Sequence, residues 1–168
     1  MGIDPAKYGK SKAAFAIAEI IEDKARLVYG EELEKSSFAE MRSKTRELHV
    51  LFRTKKIFFD SGGLGQGFDE YLEEDQLLRR KLIPLNNAQK GKEYKILKED
   101  LYSNVRRLLE NGKLSIANQK EIIEGLKGVE FEGPPGEEKI IGTDMSEAIA
   151  RALWGTIAKY IKPRILRF

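Results

Sequence analysis

The segment Lys56-Ile57-Phe58-Phe59-Asp60-Ser61-Gly62-Gly63 constrains what this chain can fold into more than any other stretch. A short β-branched and aromatic run closed by an aspartate and a glycine turn reads as a buried strand with a defined end. Upstream, Ser37-Phe38-Ala39-Glu40 is a capping box, in which the serine hydroxyl and the glutamate carboxylate satisfy backbone donors at a helix start. Phe38, Met41, Thr45, Leu48 and Phe52 then recur at steps of three and four, so a helix of roughly four turns lays one face on a sheet. An amphipathic helix leading into a buried strand predicts an α/β protein.

The remaining segments fill out that class. Ile3-Asp4-Pro5 reads as the end of a short strand followed by a Lys/Gly/Ser loop over 7–12. Apolar segments 14–21 and 25–29 flank Glu22-Asp23-Lys24, the pattern of a hairpin with a three-residue connection, so the first strands form an antiparallel meander. Residues 68–82 read as a helix whose acids (Asp69, Glu70, Glu73, Glu74, Asp75) precede its bases (Arg79, Arg80, Lys81), the order that suits the helix dipole. Ile83-Pro84-Leu85 is a short strand, 86–99 a polar lysine-rich connection, and Leu101, Val105, Leu108 and Leu109 mark a helix closed by Asn111-Gly112. A strand at 114–116, a helix over 119–126, a strand near 129–131, a Gly/Pro hairpin tip at 132–136 and a helix over 145–161 complete the order. The reading is one mixed α/β domain over 1–168, with connections suited to right-handed crossovers.

Composition excludes several kinds of chemistry. There is no cysteine, which removes disulfides, thiolate metal sites and cysteine nucleophiles together. The single histidine, His49, lies among Leu48, Val50 and Leu51 and reads as a structural residue, so no histidine-rich zinc site can be assembled. A net charge of +3 is too small to argue for a nucleic-acid partner, and the distribution of charge matters more. No apolar run approaches the ~20 residues that span a bilayer and no signal-peptide core is present, so the chain is expected to be soluble, without membrane contact, and to stay where it is made.

Among 27 acidic residues, Asp4, Asp60 and Asp144 stand out by position. Asp4 follows the first strand, Asp60 ends a buried strand, and Asp144 sits at the mouth of the last long helix. Carboxyl ends of adjacent strands form the rim on which sites of α/β sheets are built, so Asp4 and Asp60 share a cleft if their strands are neighbours. Carboxylates gathered closely raise one another's pKa and stay ionised only around a cation. Oxygen-only ligation selects Mg²⁺ or Mn²⁺, and two such ions about 3.5–4 Å apart can activate a water and stabilise the leaving oxygen of a phosphodiester.

The runs Gly2-Ile3-Asp4-Pro5-Ala6, Ile57-Phe58-Phe59-Asp60-Ser61-Gly62-Gly63-Leu64-Gly65 and Gly142-Thr143-Asp144-Met145-Ser146-Glu147-Ala148 resemble the acidic motifs of the nuclease domain of viral terminase large subunits. Residues 109–116 resemble the helix, turn and short strand before the last of these motifs, and the likeness covers nearly the whole chain. The resemblance implies an RNase H-like fold, a mixed sheet of five or more strands flanked by helices. It also implies a DNA endonuclease that cuts concatemeric viral DNA during packaging, in the cytoplasm of the infected host cell. Asp4, Asp60 and Asp144 would then be catalytic ligands to two Mg²⁺ or Mn²⁺ ions. Glu147 is a further candidate ligand, three residues along the same helical face. The family pattern often has a second acid or a histidine before the last aspartate, where this chain has Thr143. The implied partners are double-stranded DNA, the terminase ATPase domain, the small terminase subunit and the portal. Gly62, Gly63, Gly65 and Gly67 lack the Gly-Lys-Ser/Thr ending of a P-loop, so this chain carries no motor and reads as an isolated nuclease domain.

Between residues 79 and 98 there are seven basic residues and one acid, and between 155 and 168 four basic residues and no acid. Lys90, Lys92 and Lys95, with Lys7, Lys10 and Lys12 near Asp4, are the candidates for contact with DNA phosphates, which carry little sequence information. Three other readings stay open: a junction resolvase of the same fold, an actin-like ATP-binding module that also places an aspartate after an early strand, and a catalytically silent DNA-binding or assembly domain.

Overall fold

In a strand, alternate side chains face opposite sides, and the strands of this chain sort their residues accordingly. The computed structural model describes residues 1–6, 12–62, 67–93, 96–133 and 139–157. Strand β2 (Ala13–Ile21) sends Ala14 and Ala16 to one face and Ala13, Phe15 and Ile17 to the other. Strand β4 (Ile57–Asp60) sends Phe58 to the first face and Ile57 and Phe59 to the second. Each set joins a separate apolar cluster, so the sheet is covered on both sides, which is why β4 reads as a continuous apolar run.

The main sheet has six strands in the order β5-β4-β1-β2-β3-β6. Strand β1 (Gly2–Asp4) pairs antiparallel with β2, and β2 antiparallel with β3 (Lys24–Leu33), forming the expected meander. On its other side β1 runs parallel to β4, which runs parallel to β5 (Leu82–Leu85). Strand β6 (Leu114–Ile116) adds parallel to β3. Pro84 is tolerated because β5 is an edge, with only β4 to pair with.

Helix α1 (Phe38–Phe52) begins at the predicted capping box, with Ser37 Oγ accepting from Glu40 N–H and Glu40 Oε2 from Ser37 N–H. Its buried Phe38, Met41 and Leu48, with Phe68 and Leu72 of α2 (Phe68–Glu73), cover the face of Ile3, Phe15 and Phe59. The opposite face is covered by α3 (Leu97–Glu110), α4 (Lys120–Lys127) and α5 (Asp144–Leu153). Helix α5 lies against the sheet through small residues. A Cβ on Gly2 would collide with the backbone of Ala148 and Ala152, so this helix sits closer than any other side chain at residue 2 would allow.

Several boundaries differ from the sequence reading, each for a local reason. The connection of the β2–β3 hairpin is two residues, Glu22 and Asp23, with Glu22 at a φ of 56°. The helix expected over 68–82 stops at Glu73. Asp75 then takes over: its side chain accepts from Leu77 N–H and its carbonyl from Leu78 and Arg79, turning the chain through a 3-10 turn at 79–81 into β5. Helix α3 starts at Leu97, inside the expected loop, because Glu99 Oε2 accepts from Ile96 N–H and buried Asp100 accepts from the amides of Lys92 and Glu93. The strand near 130 becomes β7 (Glu130–Glu132), which pairs with β8 (Lys139–Ile141) as a separate hairpin, while the expected tip at 134–136 lies outside the described residues. The last helix runs as α5 to Leu153 and continues as a 3-10 turn over Trp154–Thr156, and its expected extension from 158 onward also lies outside them. No helix among the described residues is long and apolar enough to cross a membrane.

Candidate active site

The parity that sorts the cores also aims the acids. Gly2 and Phe58 belong to the α5 side of the sheet, so Asp4 and Asp60, two residues further along their parallel strands, point the same way. Both lie at carboxyl ends, where β1 and β4 are neighbours. On α5, Asp144, Glu147, Ala148, Arg151 and Ala152 follow steps of three and four, so the stripe that packs on Gly2 also carries two acids and an arginine to the same rim.

The guanidinium of Arg151, fully buried, joins this group. Its Nη1 lies 3.2 Å from Asp4 Oδ1 and 3.2 Å from Glu147 Oε2. Its Nη2 lies 2.7 Å from Asp60 Oδ2 and donates to Asn87 Oδ1 at 3.1 Å. Asn87 stands two residues beyond the end of β5, and its amide also donates to Glu147 Oε2 at 3.3 Å. Lys98, from the first turn of α3, places its ammonium 2.7 Å from Glu147 Oε1.

Asp144 approaches from the other side. Thr143 is the N-cap of α5, its hydroxyl accepting from Ser146 N–H at 3.1 Å, so Asp144 is not needed to cap. Asp144 Oδ2 instead accepts from Lys12 N–H at 2.8 Å, and the carboxylate is close enough to Asp4 to act on its ionisation. The Asp4 carboxyl is pushed up to about 8, above all by burial, with Arg151 pulling it down and Glu147, Asp60 and Asp144 adding to the rise. For Glu147 burial again opposes charge, yet Arg151, Lys98 and Asn87 together hold it below its ordinary value. The cluster thus has more negative charge than its resident cations neutralise, and Asp4 carries the deficit.

Among the described residues, the ligating oxygens that meet here are the carboxylates of Asp4, Asp60, Asp144 and Glu147 and the amide oxygen of Asn87, the set that hard divalent cations such as Mg²⁺ and Mn²⁺ take. In this structure the point where Asp4, Asp60 and Glu147 converge holds the guanidinium, and no group of three acids or histidines among the described residues is arranged as a ready metal cage. The donor chemistry fits such an ion, on condition that it shares these oxygens with Arg151.

Comparison with solved structures places the fold. The chain superposes on the large terminase nuclease of thermophilic phage G20c with a TM-score of 0.74 at 18% identity, covering 92% of this chain and 79% of that one. The chain has the fold of a large-terminase nuclease domain. The nuclease domain of the large terminase subunit of bacterial virus Sf6 matches at a TM-score of 0.70 and 11% identity, over 90% of this chain and 85% of that one. That of bacteriophage SPP1, with bound manganese, matches at 0.60 and 12% identity, over 94% and 84%. No family model matches the sequence, and no curated protein matches it either. At such identities the terminase-nuclease likeness speaks for the fold, and the site must be argued from this chain's own residues.

The structure therefore brings Asp4, Asp60, Asp144 and Glu147 to one rim. Of the lysines expected at DNA, Lys90 and Lys92 are exposed on the loop before α3, with Lys92 Nζ 5.9 Å from the centre of the Trp154 ring. Lys12 borders the site, but its ammonium lies 3.0 Å from Glu32 and 3.6 Å from Glu34. Lys7, Lys10 and Lys95 lie outside the described residues. Of the glycines after Asp60, Gly62 N–H donates to Asp60 Oδ1 at 2.9 Å, fixing that carboxylate, while Gly63 and Gly65 lie outside them. His49 is buried on α1 with Nδ1 2.8 Å from Thr54 Oγ1, away from the acids.

Sequence reasoning missed Arg151, Lys98 and Asn87. For Arg151 a signal existed, since it follows Glu147 by four residues and Asp144 by seven on a helix with an acidic first turn. Asn87 and Lys98 were concealed in a stretch that reads only as polar, and only the tertiary packing brings Asn87 to Arg151 and Glu147 and Lys98 to Glu147.

Proposed function

We propose that this chain is a divalent-metal-dependent DNA endonuclease, the nuclease domain of a terminase large subunit. In this reading it cuts concatemeric viral DNA during genome packaging in the infected cell's cytoplasm. The observation that carries the proposal is the meeting of Asp4, Asp60, Asp144 and Glu147 at the carboxyl ends of β1 and β4 and the amino end of α5. Supporting it, the SPP1 domain of the same fold holds manganese and the G20c domain holds magnesium in their crystals.

Asp4, Asp60 and Asp144 would hold the metal, with Glu147 beside them. When bound, two such ions supply a nucleophilic water and charge stabilisation for the leaving oxygen. The protein's part is orientation. The Gly62 amide fixes Asp60 Oδ1, the Lys12 amide fixes Asp144 Oδ2, and Lys98 with Asn87 fixes Glu147, while the Arg151 guanidinium between Asp4, Asp60 and Glu147 would have to share these oxygens with a cation. Lys90 and Lys92 would meet the phosphate backbone of double-stranded DNA beside the site, with Lys12 at its border and Lys7, Lys10 and Lys95 completing the proposed basic set. The chain acts as one nuclease domain over 1–168, and the ATPase domain, small subunit and portal are its partners in this proposal.

An ATP-binding module is disfavoured by the same geometry. A triphosphate is cradled by free backbone amides of a turn, whereas the Gly62 amide after β4 already serves Asp60, and the Arg151, Lys98 and Asn87 donors are engaged by the acids. The test is plasmid nicking with Mg²⁺ or Mn²⁺: wild type converts supercoiled DNA to open-circular and linear forms, and Asp60→Asn does not. Equal cleavage by the two proteins would refute the nuclease assignment.

A further inference from the structure

Away from the acid rim, two exposed cations, Lys92 and Arg107, line a cavity of about 230 Å³ between α3, the loop before it and the end of α5. Trp154, buried, forms its floor, and the Lys92 ammonium lies 5.9 Å from the centre of that ring. Each cation is positioned by a buried polar side chain of α3. Asp100 and Asn104, four residues apart on one helical face, are only 5% and 2% exposed. Asp100 accepts from the backbone amides of Lys92 and Glu93, which fixes the root of the Lys92 side chain. Asn104 Oδ1 accepts from Arg107 Nη2 at 2.9 Å, while its Nδ2 donates to the Leu153 carbonyl at 3.0 Å. Thr156 Oγ1 donates to the same carbonyl at 2.9 Å, so that acceptor is satisfied and does not draw on the two cations.

Stability alone accounts for half of this arrangement. Capping the end of α5 needs the Asn104 amide nitrogen, but the oxygen is directed to a guanidinium that water could solvate unaided. A surface arginine on this helix has a simpler solution, shown one residue earlier by Arg106, whose Nε lies 2.7 Å from Glu110 Oε1. Among the described residues neither Arg107 nor Lys92 pairs with a carboxylate, although Glu93 also lines the cavity. A planar guanidinium and an ammonium facing one small space suit a phosphate group, which takes charge-assisted hydrogen bonds from both.

The position of the notch indicates which phosphate it would take. Lys98, in the first turn of α3, meets Glu147 at the rim, and Arg107 follows it by nine residues, as Trp154 follows Glu147 by seven. At about 1.5 Å per helical residue the notch stands roughly 10–14 Å from the rim, or about three to four steps of ~3.4 Å along a duplex. We propose that Lys92 and Arg107 bind one backbone phosphate of duplex DNA in this notch, with Asp100 and Asn104 as positioning residues. This rests on the DNA-cleaving reading above and adds to it a second fixed contact, about three to four base pairs from the bond that is cut. The duplex then crosses the rim along α3.

The experiment measures duplex affinity against salt by fluorescence anisotropy on the non-cleaving Asp60→Asn background. Arg107→Ala is expected to flatten the slope of log affinity against log salt by about 0.9, the contribution of one phosphate, and Arg107→Lys to keep it. Arg106→Ala removes the same charge from the neighbouring position and is expected to leave the slope unchanged, because Glu110 already answers that guanidinium. No change with Arg107→Ala overturns the proposal. Equal flattening by Arg106→Ala also overturns it, since that result describes a diffuse positive surface. Trp154 is the single tryptophan, so its emission reports on the notch without any further substitution. Emission should shift when duplex is added and stay constant with ATP at the same phosphate concentration. An emission blind to bound duplex overturns the proposal, and an equal shift with ATP assigns the notch to free nucleotides and overturns the DNA contact. If the Asp60→Asn protein binds no duplex, the DNA reading itself falls and this inference with it. Binding that depends on Arg107, together with a wild type that never nicks plasmid, keeps the notch and rejects only the nuclease activity.

Discussion

Arg151 Nη2 and Asp60 Oδ2 stand 2.7 Å apart, joining the last turn of α5 to the end of β4 across 91 residues of sequence. The contact is what makes helix and sheet share one polar site beneath an apolar interface. Removing one partner of such a buried pair leaves its companions uncompensated, at a cost of about 3–5 kcal/mol. Arg151→Ala is therefore expected to lower the unfolding free energy by about that amount in urea denaturation with EDTA present. Saturating Mn²⁺ should restore part of the loss, since it replaces the missing charge. A variant as stable as wild type in EDTA shows that the acids are already neutral without Arg151.

The close seating of α5 gives a second prediction. Gly2 faces the backbone of Ala148 and Ala152 with no room for a Cβ, and neither backbone is free to give. Gly2→Ala should lift α5 from β1, cost about 1–3 kcal/mol by overpacking, and reduce nicking by displacing Asp144 and Glu147 from Asp4. Gly112 makes the control. A Cβ there meets nothing within 4 Å, but its φ is +61°, so Gly112→Ala should cost only about 1 kcal/mol of left-handed strain and leave nicking intact. Thermal melts and nicking of the two variants side by side separate helix seating from general destabilisation.

How far the sequence revealed this arrangement depends on which physical rule governs each residue. Asp4 and Asp60 were legible because each closes a short strand, and the carboxyl ends of neighbouring parallel strands share one rim of the sheet. The capping box at Ser37 was legible because it is a local contact between residues three apart. The end of α2 was not, since the charge order over 68–82 suits a helix and only the Asp75 turn, which directs Leu82 to β4, decides otherwise. The start of α3 was hidden because Lys98, Glu99 and Asp100 look like loop residues, although all three are engaged in tertiary or capping contacts. Arg151 escaped for a related reason: a helical arginine usually faces water, and only the pairing of β1 with β4 reveals that this one is enclosed by acids.

His49 supplies a pH prediction remote from the acids. Burial, with Lys81 adding to it, holds the imidazole below its ordinary value of 6.5. The folded chain thus favours the neutral ring more than the unfolded chain does. Its stabilising contribution is whole above 6.5 and is lost as pH falls toward the lowered folded value. Between about pH 8 and about pH 5, the melting temperature of wild type should fall further than that of His49→Gln. Parallel curves for the two proteins would show that the ring is protonated as readily folded as unfolded.

DNA contact can be assigned among the lysines by salt dependence, because each phosphate neutralised by a lysine contributes about 0.9 to the slope of log affinity against log salt. Lys90 and Lys92 are exposed on the loop before α3, Lys92 with its ammonium over the Trp154 ring, and among the described residues neither ammonium pairs with a carboxylate. The Lys12 ammonium is already neutralised by Glu32 and Glu34, so a phosphate would have to compete with both. The double variant Lys90→Ala/Lys92→Ala, measured by fluorescence anisotropy of a labelled duplex on the non-cleaving Asp60→Asn background, should flatten the slope by up to about 1.8. Lys12→Ala on the same background should change it by much less than about 0.9. An unchanged slope in the double variant would mean that this loop is a solvated surface and that the duplex lies elsewhere. A large loss from Lys12→Ala would mean that DNA binding pulls that ammonium away from its two glutamates and toward the metal site.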